Sequence, residues 1–286
     1  MVRRLLGLLA LALTALLALA PVPALAWGEY AHRQTATIAE ANVSPEVRAK
    51  VRALLAREKE LGTPDCLRGE GWRWGFTFAW HYRTAPVCKA FDPKANCSGG
   101  NCVTAQIARA QRVLADERLP AHERLAALAF LVPFAGDVHM PLHSGDNEDR
   151  GGNDRAADYG IIPSLNLHWI WDGPLAERAI SDPADPVVRR YSAAERAELA
   201  GGTPDDWGRE SWEIARSFVY PTAFDTEDLC SQPLPDKTAL SQEDIVRGVP
   251  IARKRVVQAG LRIAALLEDA FKPGPLVPDE PRRRRG

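Results

Sequence analysis

Apolar side chains recur every three to four positions along most of this chain, which is the spacing of one face of an α-helix. Val47, Val51 and Leu54 follow this spacing after Ser44-Pro45, and proline is favoured at the first position of a helix. No stretch alternates apolar and polar residues as clearly. The pattern therefore predicts an all-α protein, with further helices from Thr104 to Leu114, around Leu125 to Val132, from Thr203, and from Ser241 to Leu267.

Three loop-rich segments interrupt the helical pattern, at about residues 61 to 101, 144 to 165 and 221 to 240, where Gly, Pro, Asn and Asp cluster. The chain of 286 residues shows no internal repeat and fits one domain, which we assign to residues 27–275. Residues 276–286 include four consecutive arginines, Arg282 to Arg285. We expect them to form a disordered basic tail, and a targeting or phosphate-binding role is the alternative.

The first 26 residues have the composition of a cleaved signal peptide. Arg3 and Arg4 precede an apolar run, and Ala24-Leu25-Ala26 fits the small-residue rule for signal peptidase. A membrane anchor is the alternative, but prolines interrupt the run before the cleavage signal. The sequence therefore predicts a secreted or periplasmic protein that begins at Trp27. No later segment is apolar enough to span a bilayer, and nothing indicates a protein partner.

Charge and cysteine content narrow the possible functions. Without the leader and its two arginines, 34 Lys and Arg face 37 Asp and Glu, a net charge of −3, so no basic field indicates a duplex-binding protein. Cys97 and Cys102 enclose a turn and fit a short disulfide in an oxidising compartment. A cysteine-rich zinc site is the alternative, although the spacings lack paired C-x-x-C motifs.

Five of the six histidines lie in short motifs that also contain carboxylates or aromatic residues. His168 and Asp172 are four residues apart, so on a helix both side chains point to one side and can bind one metal ion. Asp137, His139 and His143 form a second such group. Nitrogen and carboxylate ligands without paired thiolates favour zinc, and manganese or iron remains an alternative.

These motifs together resemble the fungal-type zinc-dependent class I nucleases, which are single-strand-specific nucleases and 3'-nucleotidases of the phospholipase C-like helical superfamily. The resemblance covers nearly the whole chain after residue 26. The matching motifs are Trp27-Gly28 with His32, Asp65 followed by Trp80-His81-Tyr82, Gly136-Asp137 through Pro141-Leu142-His143, Gly151-Gly152-Asn153, and Asn166-Leu167-His168 with Asp172.

The resemblance implies a helical fold with a cleft that holds three zinc ions. One ion would be bound by the free amino group and carbonyl of Trp27 with His32 and Asp137, so signal cleavage would create a ligand. A second would be bound by Asp65, His81 and the bridging Asp137. A third would be bound by His143, His168 and Asp172. The family's two disulfides correspond to Cys88 with Cys230 and Cys97 with Cys102, which leaves Cys66 free.

The function implied by the resemblance is hydrolysis of single-stranded DNA or RNA and of 3'-nucleotides by a metal-activated water. Asp137 would orient that water, which makes it the expected catalytic residue. Tyr82 and Asn153 are candidate substrate-binding residues. Stacking of a base is the expectation for Tyr82, with simple packing as the alternative.

One departure from the family pattern affects a metal site. The family has a ligand histidine four residues before the bridging aspartate, and this chain has Pro133 there. Proline cannot coordinate a metal, so the site of Asp65, His81 and Asp137 has lost a ligand and the chain is expected to hold nearer two ions than three. A zinc-stabilised binding protein with weakened catalysis is therefore one alternative. A phospholipase C-like phosphodiesterase, from the same superfamily, is another.

Overall fold

The computed structural model describes residues 27–58 and 75–272, and this part of the chain is mainly helical. The leader, the basic tail, Asp65 and Cys66 lie outside the described residues. The helices are α1 Glu29–Asn42, α2 Pro45–Leu55, α3 Val103–Ala115, α4 Ala121–Asp137, α5 Leu167–Ile170, α6 Ala176–Ile180, α7 Ala193–Leu199, α8 Pro204–Ile214, α9 Tyr220–Phe224 and α10 Gln242–Ala270.

Shorter helical turns join these elements at several points. The 3₁₀ turns are Gly75–His81, Ser98–Gly100 and Pro141–His143, and π-helical turns span Trp171–Leu175 and Ala215–Val219. Because the first π turn directly continues α5, the chain from Leu167 to Ile180 is one uninterrupted helical segment.

Side-chain caps begin the helices that the sequence predicted at Ser44, Thr203 and Ser241. The hydroxyl of Ser44 accepts a hydrogen bond from the Val47 amide, and Thr203 and Ser241 both form reciprocal capping boxes. The prediction for Thr104 was wrong, because Cys102 precedes α3 and Thr104 lies inside it. There the Thr104 hydroxyl accepts a hydrogen bond from Arg83 at 3.0 Å.

Two small sheets lie in segments that were expected to be loops. β1 (Ala85–Pro86) pairs in parallel with β2 (Gly145–Asp146). β3 (Ala156–Tyr159) lies between β4 (Ile162–Asn166), which is antiparallel to it, and β5 (Lys237–Leu240), which is parallel to it. The fold is therefore mainly helical, as predicted, with short strands that tie together distant parts of the chain.

Two apolar clusters form the core, and α10 contributes to both of them. One contains Trp27, Met140, Leu167 and Trp171, and the other contains Leu131, Phe134 and Val138. The residues between Gly136 and His143 therefore lie where the two clusters meet. Burial from both sides fixes this segment in place, which matters because it carries several of the predicted metal ligands.

Both disulfides implied by the resemblance are confirmed. Cys88 pairs with Cys230 and ties the loop after β1 to the segment before β5, and Cys97 pairs with Cys102 around a turn of positive-φ glycines. Within the described residues, no helix is sufficiently long and apolar to cross a membrane.

Candidate metal centre

Six of the predicted ligands come from six separate elements and meet at the junction of the two core clusters. Asp137 is the last residue of α4, and His143 ends the 3₁₀ turn that follows it. The other four of these predicted ligands are His32 in α1, His81 at the end of a 3₁₀ turn, His168 in α5, and Asp172 in the π turn.

His143, His168 and Asp172 form the more enclosed group. Each offers one ligand atom, and the three atoms lie within 4.8 Å of one another. Nε2 of His168 is 3.1 Å from Oδ2 of Asp172, and Nε2 of His143 is 3.9 Å from Oδ1. The spacing of four residues places His168 and Asp172 on the same side of the helical segment, as the sequence predicted.

Backbone carbonyls fix how the two histidines of this group are oriented. Nδ1 of His168 lies 2.7 Å from the carbonyl oxygen of Gly151, and Nδ1 of His143 lies 3.1 Å from that of His81. A carbonyl can only accept, so each neutral ring carries its proton on Nδ1 and directs the lone pair of Nε2 towards Asp172. This arrangement is typical of metal-binding histidines.

Asp172 lacks the partners that a buried carboxylate requires. It is fully buried, and neither of its oxygens accepts a hydrogen bond from a described residue. An unpaired buried charge is strongly unfavourable, and a lone pair that faces a carboxylate adds repulsion unless a cation lies between them. The donor set of the three residues therefore fits a divalent cation, and nitrogen with carboxylate oxygen suits zinc.

The pKa values of the two histidines are shifted in opposite directions, because burial dominates at His143 and the charge of Asp172 dominates at His168. Burial lowers the pKa of His143 to about 4 and outweighs the attraction of Asp172 and Asp137. Burial also disfavours the charged form of His168, but the adjacent Asp172 carboxylate raises the pKa of His168 above its ordinary value. Of these two rings, His168 therefore takes up a proton first as the pH falls in the absence of a cation.

Asp137, His32 and His81 form the second group. Oδ1 of Asp137 is 3.0 Å from Nε2 of His32, and Oδ2 is 2.8 Å from Nδ1 of His81. Burial alone would raise the pKa of Asp137, but the two imidazoles hold it well below its ordinary value. Asp137 is therefore an anion with one oxygen directed at each histidine, as a bridging ligand requires.

Glycine at position 136 allows His32 to approach Asp137. A β-carbon built on Gly136 would lie 2.9 Å from Nδ1 of the His32 ring. Any side chain at position 136 would displace that ring. Glycine is therefore required next to Asp137 if His32 is to reach the carboxylate.

The first described residue lies between the two groups. Trp27 is fully buried, and its indole nitrogen donates to the carbonyl of Gly136 at 2.8 Å. The next amide, that of Gly28, donates to the carbonyl of Asp172 at 2.8 Å. The backbone of Trp27 is therefore fixed beside Asp137 and Asp172, the two predicted carboxylate ligands.

The candidate substrate residues differ in how free their side chains are. Asn153 donates to the carbonyl of Arg150 at 2.9 Å, so its amide stabilises the loop that carries Gly151. That loop requires glycine, because a β-carbon on Gly151, whose φ is +62°, would lie 2.2 Å from the Leu142 carbonyl oxygen. Tyr82 is partly exposed and packs edge-on against Phe78, with their ring centroids 5.7 Å apart.

Position 133 supplies no ligand atom to the second group. Pro133 lies inside α4, which continues to Asp137. The neighbouring Phe134 ring packs edge-on against His81 at 4.9 Å and stacks with Phe130 at 5.4 Å. The described surroundings of His81 on this side are therefore aromatic.

His139 belongs to the same motif but is not brought to the ligands. Its Nδ1 donates to the Ala135 carbonyl at 2.7 Å, and its Nε2 accepts from Arg262 at 2.9 Å. Burial and the cations Arg255 and Arg262 lower the pKa of His139 far below its ordinary value. His139 is therefore a neutral structural acceptor.

A network that sequence reasoning missed holds the turn after Asp137. Arg255 donates to the carbonyl of His139 at 3.1 Å and to the Ser211 hydroxyl at 2.8 Å, and that hydroxyl donates to the carbonyl of Val138 at 2.6 Å. Glu210 accepts from both Arg255 and Arg262. Polar residues at helix positions that face the core are a possible sequence signal of such a network.

Comparison with known proteins gives matches over most of the chain. The family model described as S1/P1 Nuclease matches residues 27–272. Endonuclease 4 of Arabidopsis thaliana is 28% identical over 279 residues, which cover 88% of this chain and 91% of the relative. Nuclease S1 of Aspergillus oryzae is 26% identical over 265 residues, 85% and 91% of the two chains. Nuclease P1 of Penicillium citrinum is 26% identical over 167 residues, 55% and 61% of the two chains.

Proposed function

The chain belongs to the S1/P1 nuclease family, and we propose that it is an exported zinc-dependent phosphodiesterase that hydrolyses single-stranded DNA or RNA and 3'-nucleotides. The relatives are named as endonucleases and nucleases, which supports a nuclease function. The observation that carries the zinc dependence is the buried carboxylate of Asp172, which has no hydrogen-bond partner and faces two oriented imidazoles.

We assign the ligands as follows. His143, His168 and Asp172 hold one ion. The amino group and carbonyl of Trp27 hold a second with His32 and Asp137. Asp65 and His81, with Asp137 as the bridge, are the ligands of a third site that lacks the residue replaced by Pro133. We assign the nuclease domain of the mature protein to residues 27–275.

The reaction follows from the charges of these residues. When bound, zinc favours ionisation of water near neutral pH and neutralises charge on the phosphoryl oxygens. Asp137 stays ionised because His32 and His81 stabilise its charge, so it can accept a hydrogen bond from the attacking water and orient it. Buried His143 and His168 keep their Nδ1 protons on backbone carbonyls and exclude bulk solvent from one side. Tyr82 offers a partly exposed ring for a base.

Export and catalysis are linked through Trp27. An α-amino group can bind a metal only after the peptide bond to residue 26 is cut, because an amide nitrogen is a poor ligand. We expect a mature protein that begins at Trp27 to bind one more zinc ion than a version with a single extra N-terminal residue. Equal zinc contents, measured by mass spectrometry of metals on the two proteins, would contradict this role.

Substrate comparison tests the proposed function directly. Zinc-loaded mature protein should hydrolyse single-stranded DNA and 3'-AMP faster than duplex DNA, and it should leave phosphatidylcholine intact. Asp137→Asn should abolish these activities, and the matched control Asp182→Asn, an exposed acid outside the site, should retain them. Hydrolysis of phosphatidylcholine alone would instead indicate a phospholipase C-like enzyme.

Pro133 favours one alternative, a zinc-stabilised protein that binds nucleic acid with little turnover. This alternative predicts that the protein binds zinc and a single-stranded oligonucleotide tightly but hydrolyses neither DNA nor 3'-AMP.

A further inference from the structure

The loop between β2 and β3 supplies the carbonyl that orients His168. Nδ1 of His168 lies 2.7 Å from the carbonyl oxygen of Gly151, and that carbonyl belongs to the peptide bond between Gly151 and Gly152. In the same loop Glu148 and Arg150 have φ angles of +58° and +55°, although neither is a glycine. A left-handed backbone is unfavourable at such residues and persists only where neighbouring contacts hold it. The position of the Gly151 carbonyl therefore depends on the contacts that fix this loop.

The carboxylate of Asp149 binds the opposite side of this peptide bond. Its Oδ1 accepts a hydrogen bond from the Gly152 amide at 2.8 Å. In a trans peptide the N–H and the C=O point in opposite directions, so Asp149 and His168 bind the two ends of one peptide group. Asp149 is 1% exposed, and Nε of Arg155 donates to its other oxygen, Oδ2, at 3.1 Å. A buried carboxylate therefore fixes the plane of the peptide whose carbonyl contacts the predicted ligand.

Tyr220 in turn holds the Asp149 carboxylate. It is fully buried at the start of α9, and its hydroxyl donates to Oδ1 of Asp149 at 2.6 Å and accepts from the Asn147 amide at 3.2 Å. Burial and the charge of Asp149 raise the pKa of Tyr220 well above its ordinary value, so the hydroxyl keeps its proton and remains a donor. A chain of hydrogen bonds therefore runs from Tyr220 through Asp149 and the Gly151–Gly152 peptide to His168.

Such a chain can act on a metal ligand through the strength of the last hydrogen bond. Connected hydrogen bonds polarise one another, so an anion at the N–H of a peptide makes its carbonyl a stronger acceptor. A stronger acceptor keeps the proton of His168 on Nδ1 and holds the ring with Nε2 directed at Asp172. Removal of a partner behind a metal-binding histidine typically lowers metal affinity by about 10- to 100-fold.

We propose that Asp149 and Tyr220 are positioning residues for the enclosed metal site, on which they act through the Gly151–Gly152 peptide and His168. In this assignment neither residue is itself a ligand. The proposal rests on the zinc dependence of the proposed function. It extends the centre to a tyrosine that lies 71 residues from Asp149 in the sequence.

The test compares Tyr220→Phe with the matched control Tyr191→Phe. Tyr220→Phe removes the hydroxyl that holds Asp149 and keeps the ring. Tyr191 is also buried, and its hydroxyl donates to the Val187 carbonyl at 2.9 Å, so the control loses an equivalent hydrogen bond. None of the described hydrogen bonds of Tyr191 reaches the loop between β2 and β3. Asp149→Asn is a second variant, which removes the charge at nearly constant shape.

Two measurements on the zinc-loaded mature proteins report on the chain. Zinc occupancy over increasing chelator concentrations, resolved by position with diffraction at the zinc absorption edge, gives the affinity of the enclosed site. Magnetic resonance spectra of isotope-labelled histidine rings give the chemical shift and the water exchange of each Nδ1 proton. His143 is the internal reference, because its Nδ1 contacts the carbonyl of His81 and lies outside the chain of hydrogen bonds.

For Tyr220→Phe we expect zinc to bind about tenfold more weakly at the enclosed site, and for Asp149→Asn about 100-fold more weakly. In both variants the Nδ1 proton of His168 should exchange faster with water and lose the low-field shift of a hydrogen-bonded proton. The Nδ1 proton of His143 should be unchanged. Tyr191→Phe should lower the unfolding temperature as much as Tyr220→Phe does, with the affinity and spectra of the wild type.

The proposal is overturned if Tyr220→Phe and Asp149→Asn keep the zinc affinity and the His168 proton signal of the wild type. Equal weakening in Tyr191→Phe, or at the ions beside Asp137, would also overturn it, because a general loss of stability would then explain the result. If Asp149→Asn does not fold, Tyr220→Phe decides alone.

The failure of this proposal can be distinguished from the failure of the nuclease function. Neither measurement requires turnover, so a wild-type protein that binds zinc without hydrolysing DNA contradicts the nuclease function alone. A wild-type protein that binds no zinc at His168 contradicts both proposals.

Discussion

The two halves of the candidate metal centre differ in how firmly their ligands are fixed. In the group of His143, His168 and Asp172, both rings are oriented by carbonyls and all three side chains are buried. In the group around Asp137, the side chains of His32 and His81 are 21% and 33% exposed. Position 133 adds no ligand there. Both halves contain a carboxylate, so we expect the number and orientation of the ligands to decide which half binds zinc more tightly.

The largest expected effect is the loss of a carboxylate ligand. Asp172→Asn removes the only anion of the enclosed group, so that site should lose its zinc and the rate on single-stranded DNA should fall by at least about 100-fold. Zinc content and initial rates, measured on the same preparation, check both parts. Full zinc content in this variant would mean that the two histidines suffice and that the contrast between the halves is wrong.

Acid should release zinc through protonation of His168. In the metal-free protein the Asp172 carboxylate raises the pKa of His168, so a proton competes with zinc for Nε2 already above the ordinary histidine pKa of about 6.5. Zinc affinity is therefore highest above that raised pKa, and below it the affinity should fall about tenfold per pH unit for each proton displaced. His143, whose pKa is lowered to about 4 by burial, should not add to the loss until stronger acid.

Titration of zinc against a chelator from pH 8 to pH 5 measures this dependence. A constant affinity across that range would exclude His168 as a ligand. In the Asp172→Asn variant the pH at which His168 protonates should decrease, because the charge that stabilises the protonated ring is gone.

A histidine at position 133 should strengthen the weaker half. Pro133→His supplies an imidazole one helical turn before Asp137, and it also restores a backbone N–H inside α4, where proline costs about 3 kcal/mol. Zinc occupancy and the rate on single-stranded DNA should rise together, by several-fold. Pro133→Ala is the matched control, since it restores the N–H without a ligand. Equal gains in the two variants would assign the effect to helix stability.

The smallest expected effect concerns the network behind Asp137. Ser211→Ala removes the hydroxyl that donates to the Val138 carbonyl and accepts from Arg255. Loss of a buried hydrogen bond should lower the free energy of unfolding by about 1 to 3 kcal/mol. If the network positions Asp137, zinc at its half of the centre should also bind more weakly while the His143 half is unchanged. An equal loss at both halves would indicate general destabilisation.

The sequence predicted local relations between residues better than it predicted the short strands. The spacing of His168 and Asp172 already placed both side chains on one helical face, and the capping residues Thr203 and Ser241 marked two helix starts. These are local properties, decided within about one turn of helix. The position of Asp65 stays a prediction, because it lies outside the described residues.

The missed features depend on partners that are distant in sequence. β3 and β5 pair over only four residues each, and about 80 residues separate their register partners, so neither segment has a pattern of its own. The contact between Arg262 and His139 likewise joins residues 123 positions apart. Thr104 has the side chain of a helix cap, but its hydroxyl bonds instead to Arg83, so tertiary contact outweighed local preference.

The most direct test of the account is the occupancy of each site in the mature wild-type protein, from crystal diffraction at the zinc absorption edge over increasing chelator concentrations. The account predicts full occupancy at His143, His168 and Asp172, which persists to the highest chelator concentration. It predicts a weaker signal beside Asp137, where the position next to His81 empties first. Three positions that empty together, or an ion next to His81 that outlasts the one at Asp172, would contradict it.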